Sequence, residues 1–246
     1  MAEAVQAQQV VDQLGVIADA FTEIGDRVNE ASVGSTYQAI VDVALLRVPG
    51  AAASSITRVN HATFQTVAAS SEMALQADQI QYELGTGPCI DAIVDRTTYR
   101  PRDLTTDRRW PEYGRRVAAL GVRSMLSYRM DIGPGLLGGL NVYSDRVDAF
   151  DDAAAAIGLL LATHGAIAAS AVAHRTHAEQ LEHALASNRK IGMAIGILMA
   201  THKVTDKQAF DLLRIASQNT NRKLRHVAAD VIEVGTLDVV SPLRDI

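Results

Sequence analysis

The 246-residue sequence predicts an α+β architecture: an antiparallel sheet flanked by helices, then a long connecting helix of coiled-coil character, then a small all-α bundle of three helices. Three observations predict it. Apolar residues recur with period two in stretches after Pro49-Gly50 and up to Ser144, interrupted by helical insertions. From Asp151 the pattern turns helical and stays so, without a proline, for more than thirty residues. The last sixty residues then break into three short helical segments with clear start and stop signals. The boundaries this implies are an N-terminal helix over 1–35, an α+β domain over 36–150, the connecting helix over 151–186 and the bundle over 187–246.

Each element follows from local spacing. Val10, Leu14, Ile17, Phe21 and Ile24 repeat at three and four residues, an amphipathic helix, and a second helix is expected from about Thr36 to Arg47. "ASSITRVN" and "TFQTVAAS" form a hairpin. Helical insertions follow at about 75–95 and 107–119. From 122 to 132 the alternation sets Val122, Ser124, Leu126, Tyr128, Met130 and Ile132 on one side and Arg123, Arg129 and Asp131 on the other. "GPG" at 133–135 turns the chain into the strand "LLGGLNVYS". Tyr128, Met130, Leu140 and Val142 are candidates either for a plain core or for the wall of a cavity.

Heptad positions along the connector include Ile157, Leu160, Ile167, Leu181 and Leu185, a seam that would pair two copies into a homodimer. In the bundle, Thr205 and Gln208 have capping-box spacing, Asn221 is a candidate N-cap for the third helix, and Gly235 a candidate stop.

Charge separates the two halves. Residues 187–246 hold nine Lys/Arg against six Asp/Glu, a balance of +3, whereas residues 1–186 carry −8. A basic end on an acidic body suggests different partners for the two halves. A single cysteine, Cys89, excludes an internal disulfide framework and a thiolate metal cage. It reads either as a small buried residue beside a turn or as a reactive thiolate at a helix start. No apolar stretch is expected to reach the ~18–20 residues that cross a bilayer, and the N-terminal residues lack a basic leader, so a cytoplasmic location and no membrane partner are expected.

The segment "SQNTNRKLRHVA", 217–228, concentrates the positive charge. A helical projection centred on Leu224 buries Val227, Ala228, Val231 and Ile232, leaving Arg222 and His226 outside with Lys223 and Arg225 on the flanks. On the preceding helix Ala209, Leu212, Leu213 and Ala216 face inward, and Lys207, Arg214 and Gln218 outward. Such a surface suits phosphate, provided that Arg214 and Lys223 are not tucked into neighbouring carboxylates. The first bundle helix, "RKIGMAIGILMA", has Ile191, Ile195 and Leu198 as its core stripe and Gly192, Gly196 and Ala200 at i, i+4, i+8 away from it, near Arg189. A glycine inside a helix costs about 0.5–1 kcal/mol relative to alanine. Close approach of a neighbouring helix, a dimer mate or a nucleic-acid backbone would account for two of them.

The motifs A-x-G-x-L-M at Ala194–Met199, A-F-x-L-L-R at Ala209–Arg214 and S-x-x-x-N-x-K-L-R at Ser217–Arg225 together resemble the ANTAR domain, over about 187–240. Residues 36–172 are similar to a GAF sensor domain through "ELGTGPCIDAI" and the late strand pair. The combination resembles the GAF–ANTAR regulators. That resemblance implies a dimeric transcription antiterminator gripping paired small RNA hairpins with six-base loops, and a GAF-like sheet that senses a signal or dimerises. Onto this sequence it places RNA contacts at Arg189, Gly196, Arg214, Ser217, Gln218, Asn221, Arg222, Lys223 and Arg225. The chain departs from the family pattern at Asn188, Met193 and Ile195, where Arg, Gln and Lys are common, and at His226, where an acidic residue is common. The bundle also has no Trp or Tyr to stack on a base.

Other chemistry finds little support in the sequence. His174, His177 and His183 lack the carboxylate or thiol partners of a metal site. Neither a nucleophile-elbow pattern nor a phosphate-cradling glycine loop occurs. No cofactor is implied, no ligand of the GAF-like domain can be named, and an enzyme is not expected. Two further readings of the basic bundle are docking to an acidic protein and DNA binding through a helix-turn-helix.

Overall fold

The computed structural model describes residues 33–60, 63–133 and 136–237, with five isolated positions between 15 and 25. The expected N-terminal helix therefore falls for the most part outside the described residues. The chain divides into two compact units, residues 1–176 and 177–246.

The first unit is built on a five-stranded antiparallel sheet in the order β2-β1-β5-β4-β3, with β1 Ala53–Asn60, β2 Thr63–Ala69, β3 Thr98–Tyr99, β4 Ser124–Asp131 and β5 Leu137–Ser144. Helix α1, Val33–Arg47, precedes it; α2, Glu72–Leu84, α3, Pro88–Asp95, and α4, Pro111–Ala118, lie between β2 and β4. The expected insertion at 75–95 is thus two helices. Ser71 caps the first of them and Gly85, at φ 66°, ends it in the left-handed region where glycine carries no Cβ penalty. Pro88 opens the next, where its missing N–H would be unsatisfied anyway.

The period-two pattern of β4 and β5 decides the layers. Leu126, Tyr128, Met130, Leu140 and Val142 pack with Tyr37, Ile40 and Val41 of α1 and with the start of a long helix, α5, Asp152–His202. Of the two readings for Tyr128, Met130, Leu140 and Val142, the plain core is the observed one. The opposite face, expected to carry exposed charge, is also covered: Ala53, Met125 and Tyr143 pack with Ala74, Ala77 and Ile80 of α2 and Trp110, Tyr113 and Val117 around α4. A sheet wrapped on both faces cannot show the simple apolar-in, polar-out alternation of a half-exposed one.

Helix α5 runs unbroken through the segments read as connector and first bundle helix. Asp151 starts it, its Oδ1 accepting a hydrogen bond from the Ala154 N–H at 2.8 Å. In the first unit its inward stripe is Ala154, Ile157, Leu161, Ala162, Ala166, Ala169 and Val172. Two expectations need correction here. Ile157, placed in the dimer seam, is 5% exposed and belongs to the core. And the helix does contain a window long and apolar enough to cross a membrane by length and composition, 44% of which is buried within the protein.

In the second unit α5 is joined by α6, Asp206–Asn219, and α7, Leu224–Val234. Ala194, Leu198, Ala209, Leu213, Val227, Ala228 and Val231 form its small core, with Ile191, Ile195, Leu212 and Leu224 partly buried around them. Thr205 and Gln208 make the capping box, and Gly235, at φ 78°, ends α7 with its N–H on the Val231 carbonyl. The N-cap of α7 is Lys223, not Asn221. Asn221 instead occupies the left-handed region, at φ 51°, in the connecting turn, a conformation asparagine tolerates better than most residues.

Candidate nucleic-acid interface

The second unit holds the basic segment 217–228, and the structure sorts its cations and their neighbours. Arg189, Arg214, Gln218, Asn221, Arg222, Lys223 and Arg225 are exposed, and Ser217 is partly so. Two of the arginines have carboxylate partners: Arg214 Nη2 lies 3.1 Å from Asp211 Oδ1, and Arg222 Nη1 lies 2.5 Å from Asp230 Oδ2. The expectation that Arg214 is free of neighbouring acids is therefore corrected; Lys223 forms no ion pair of this kind among the described residues. Arg222 holds the Asp230 carboxyl below the usual carboxylate range through this hydrogen bond. Exposed pairs of this sort contribute about 0–1 kcal/mol, so a phosphate can compete for either arginine.

Two of the polar candidates have local duties. The Ser217 hydroxyl donates to the Arg222 carbonyl at 2.5 Å, tying the α6–α7 turn, and the Arg222 N–H returns a bond to the Ser217 carbonyl at 3.1 Å. Asn221 supplies the turn's left-handed residue. The open cations lie elsewhere. Between α5 and the first turns of α7 runs a groove of about 660 Å³, lined on one side by Gln180, His183, Ser187 and Lys190 and on the other by Arg225 and His226. The Arg225 Nε–H donates to His226 Nε2 at 3.3 Å, which orients both side chains at the groove wall.

Gly192 and Gly196 are exposed on α5, and a Cβ at either would meet nothing within 4 Å. Packing among the described residues therefore does not explain them. Leu181 and Leu185, at 54% and 60% exposure, also lie open on this helix within the second unit, as do Met193 and Met199. In the first unit Ile167 is 62% exposed and Leu160 partly buried. Of the five seam residues, then, four remain at least partly accessible.

The first unit holds a feature that sequence reasoning missed. On the sheet face beneath α2, the Asp78 carboxylate is fully buried and accepts hydrogen bonds from the Tyr143 hydroxyl, from Asn141 Nδ2 at 2.9 Å and from the Thr66 hydroxyl at 2.8 Å. Loss of water outweighs these bonds and raises its pKa above the ordinary carboxylate value. The network continues through the Tyr82 hydroxyl, 2.9 Å from Thr66 and 2.8 Å from Thr57, to the Cys89 thiol, 3.4 Å from Thr57 Oγ1. Gln81 accepts from the Cys89 N–H at 2.8 Å, while its Nε2 is buried with no partner among the described residues. Burial pushes the Cys89 thiol up to about 12, which removes the reactive-thiolate reading. A shallow groove of about 380 Å³ opens at the sheet edge over Thr66 and Tyr82, where the Phe64 and Tyr82 rings stack at 5.9 Å. The available signal was the spacing of α2: Ala74, Ala77, Asp78 and Gln81 share one helical stripe.

The chain thus joins a three-layer sheet unit to a basic helical bundle. Family models agree: residues 30–169 match the GAF domain and residues 179–232 the ANTAR domain. The chain belongs to the GAF–ANTAR proteins, in which GAF is a sensor domain and ANTAR an RNA-binding antitermination domain. No curated protein matches it. Among solved structures it is similar to a GAF domain of a phosphoenolpyruvate-protein phosphotransferase from Coxiella burnetii, at 17% identity and a TM-score of 0.51, covering 65% of this chain and 96% of that one. It is also similar to the phytochrome photosensory core module of Stigmatella aurantiaca, at 10% identity and a TM-score of 0.54, covering 82% of this chain and 44% of that one. At these identities the likeness concerns the fold.

Proposed function

We propose that this chain is a cytoplasmic, non-enzymatic transcription antiterminator that acts as a homodimer. Each ANTAR bundle engages one of a pair of small hairpins in nascent mRNA, and holding the pair prevents a downstream terminator from forming. The GAF domain serves as its sensor or dimerisation module.

One observation carries the reading: the segment that matches the ANTAR domain presents a set of exposed cations, Arg189, Lys190, Lys203, Lys207, Lys223 and Arg225, with Arg214 and Arg222 held only by surface pairs. Neutralising phosphates with such side chains releases counterions, so affinity falls as salt rises. Sequence-specific RNA recognition mostly uses unpaired loop bases rather than the narrow major groove of the stem. Exposed Leu181 and Leu185 support pairing of the α5 segments, with Gly192 and Gly196 leaving room for close approach of the second copy.

The reading is tested by selecting transcripts bound to the full chain and competing them against duplex DNA. Retention of hairpins whose binding is abolished by loop changes, but not by compensated stem changes, is the expected result. Preference for duplex DNA would replace it with a DNA-binding function, and indifference to all nucleic acid with docking to an acidic protein.

A further inference from the structure

We infer that the α5–α7 groove of the second unit is a nucleotide-binding cleft that takes an unpaired loop base together with its phosphate, and that His183 and His226 are its base platform. The inference rests on the RNA reading above and deepens it by giving the contact a place, a chemistry and a set of residues of which the ANTAR motifs name only Arg225.

Three features of the groove carry it. The first is charge: Lys190 and Arg225 line it from opposite sides, and no carboxylate lines it, whereas Arg214 on α6 and Arg222 in the turn are already paired with Asp211 and Asp230. The groove therefore brings two cations into one concavity, whereas Lys207 and Arg214 of α6 are exposed outside it. The second is shape. A concavity of about 660 Å³ lies within the range of about 300–1,000 Å³ found for small-ligand clefts, and it suits an extruded nucleotide better than the convex wall of a duplex. The third is the lining chemistry. Gln180, His183, Ser187 and Lys190 follow one another at i, i+3, i+7 and i+10 along a single face of α5, so amide, imidazole, hydroxyl and ammonium groups present together. Across from them stands His226, held by Arg225.

Single-stranded RNA binding needs planar groups on which bases stack, and histidine is one of the side chains that serve. The bundle lacks Trp and Tyr, and its one phenylalanine, Phe210, is 39% exposed on α6 but does not line the groove; within the groove the two imidazoles supply the stacking surface. His226 occupies a position where an acidic residue would have repelled phosphate; here the same position adds a ring and removes that repulsion. Lys190 and Arg225 would fix the phosphate and so contribute sequence-independent affinity, while Gln180, Ser187 and the two rings would read the base.

The test uses the full chain and a pool of RNA hairpins with a fixed stem and a randomised six-base loop, with binding measured across a salt series. For Lys190→Ala and Arg225→Ala we expect affinity to fall about three- to tenfold for every pool member and the salt slope to shrink by about one. For His183→Ala and His226→Ala we expect the order of preferred loops to change while the salt slope stays the same; His226→Phe, which keeps a stacking ring, should retain the wild-type order more closely than His226→Ala. Arg214→Ala, outside the groove, should cost less than Arg225→Ala. All of these positions are exposed, so thermal melts should match the wild type. If the wild type selects loops and the four groove variants leave both affinity and loop order unchanged, the cleft assignment is overturned while the RNA reading stands. If the wild type selects no RNA, or an acidic peptide displaces the pool in preference to any hairpin, both are overturned.

Discussion

Replacing Asp78 tests the buried network directly. Asp78→Ala removes the acceptor of the Tyr143 hydroxyl, the Asn141 amide and the Thr66 hydroxyl at once. Thr66 can turn to the Tyr82 hydroxyl 2.9 Å away, but Tyr143 and Asn141 are fully buried and have weaker alternatives or none. Two orphaned donors at about 1–3 kcal/mol each give a loss of roughly 4 kcal/mol. For a domain of this size about 3 °C is lost per kcal/mol, so the GAF transition should fall by about 12 °C. Asp78→Asn keeps the shape and one acceptor, and the rotating Thr66 hydroxyl can accept from the new amide, so its loss should be well under half of that. The pH dependence has a definite sign. The folded carboxyl titrates above its unfolded value of about 3.9, so the native state binds the proton more readily, and this group's contribution to stability rises as pH falls from the raised folded value towards 3.9. The melting difference between Asp78→Asn and wild type should accordingly shift in favour of wild type on acidification through that window. The assay is differential scanning calorimetry of the full chain from pH 7.5 to 4.5. A shift below about 3 °C for Asp78→Ala, or a pH dependence of the opposite sign, would refute the account of a dry, fully engaged carboxylate.

Further outcomes follow from the same structure. Leu181→Asp with Leu185→Asp should convert dimer to monomer in sedimentation velocity, because both side chains are more than half exposed in the single chain; an unchanged species would remove them from any interface. Gly114→Ala should destabilise the first unit by several kcal/mol in denaturant melts, since a Cβ there would stand 1.8 Å from the Leu104 carbonyl oxygen; a neutral result would contradict the packing of α4. Cys89, with its thiol near 12, should resist a thiol reagent at pH 8 in the native chain and react at once in denaturant; rapid native reaction would show that the thiol is open or activated.

Much of this was legible in the sequence, for identifiable reasons. The hairpin, the Thr205–Gln208 capping box and the Gly235 stop are local devices whose partners lie within a few residues, so spacing alone reveals them. The ANTAR motifs made the second unit readable as a whole. What stayed hidden depends on contacts far apart in the chain. Asp78 and Asn141 are 63 residues apart, and an aspartate on an amphipathic helix reads as solvent-facing until its partners on the sheet are known. His183 and His226 face one groove from different helices, so in sequence they were only a weak metal hint and a departure from a motif. Ile157 fitted a heptad as well as it fitted the sheet, because α5 presents one stripe to the core and leaves another open, and periodicity alone does not say which. Arg214 and Arg222 were rightly placed outside, but their pairing with Asp211 and Asp230 depends on rotamers that spacing does not fix.

The central claim is that this chain acts on nascent RNA, and single-round transcription through a terminator measures that most directly. The template carries two adjacent hairpins recovered by transcript selection, upstream of the terminator, and the full chain is added at increasing concentration. The account predicts that read-through rises with protein, falls with added salt, and is lost when the loop bases are changed with the stems intact. Termination that is indifferent to the protein, on templates whose hairpins it binds, would contradict it.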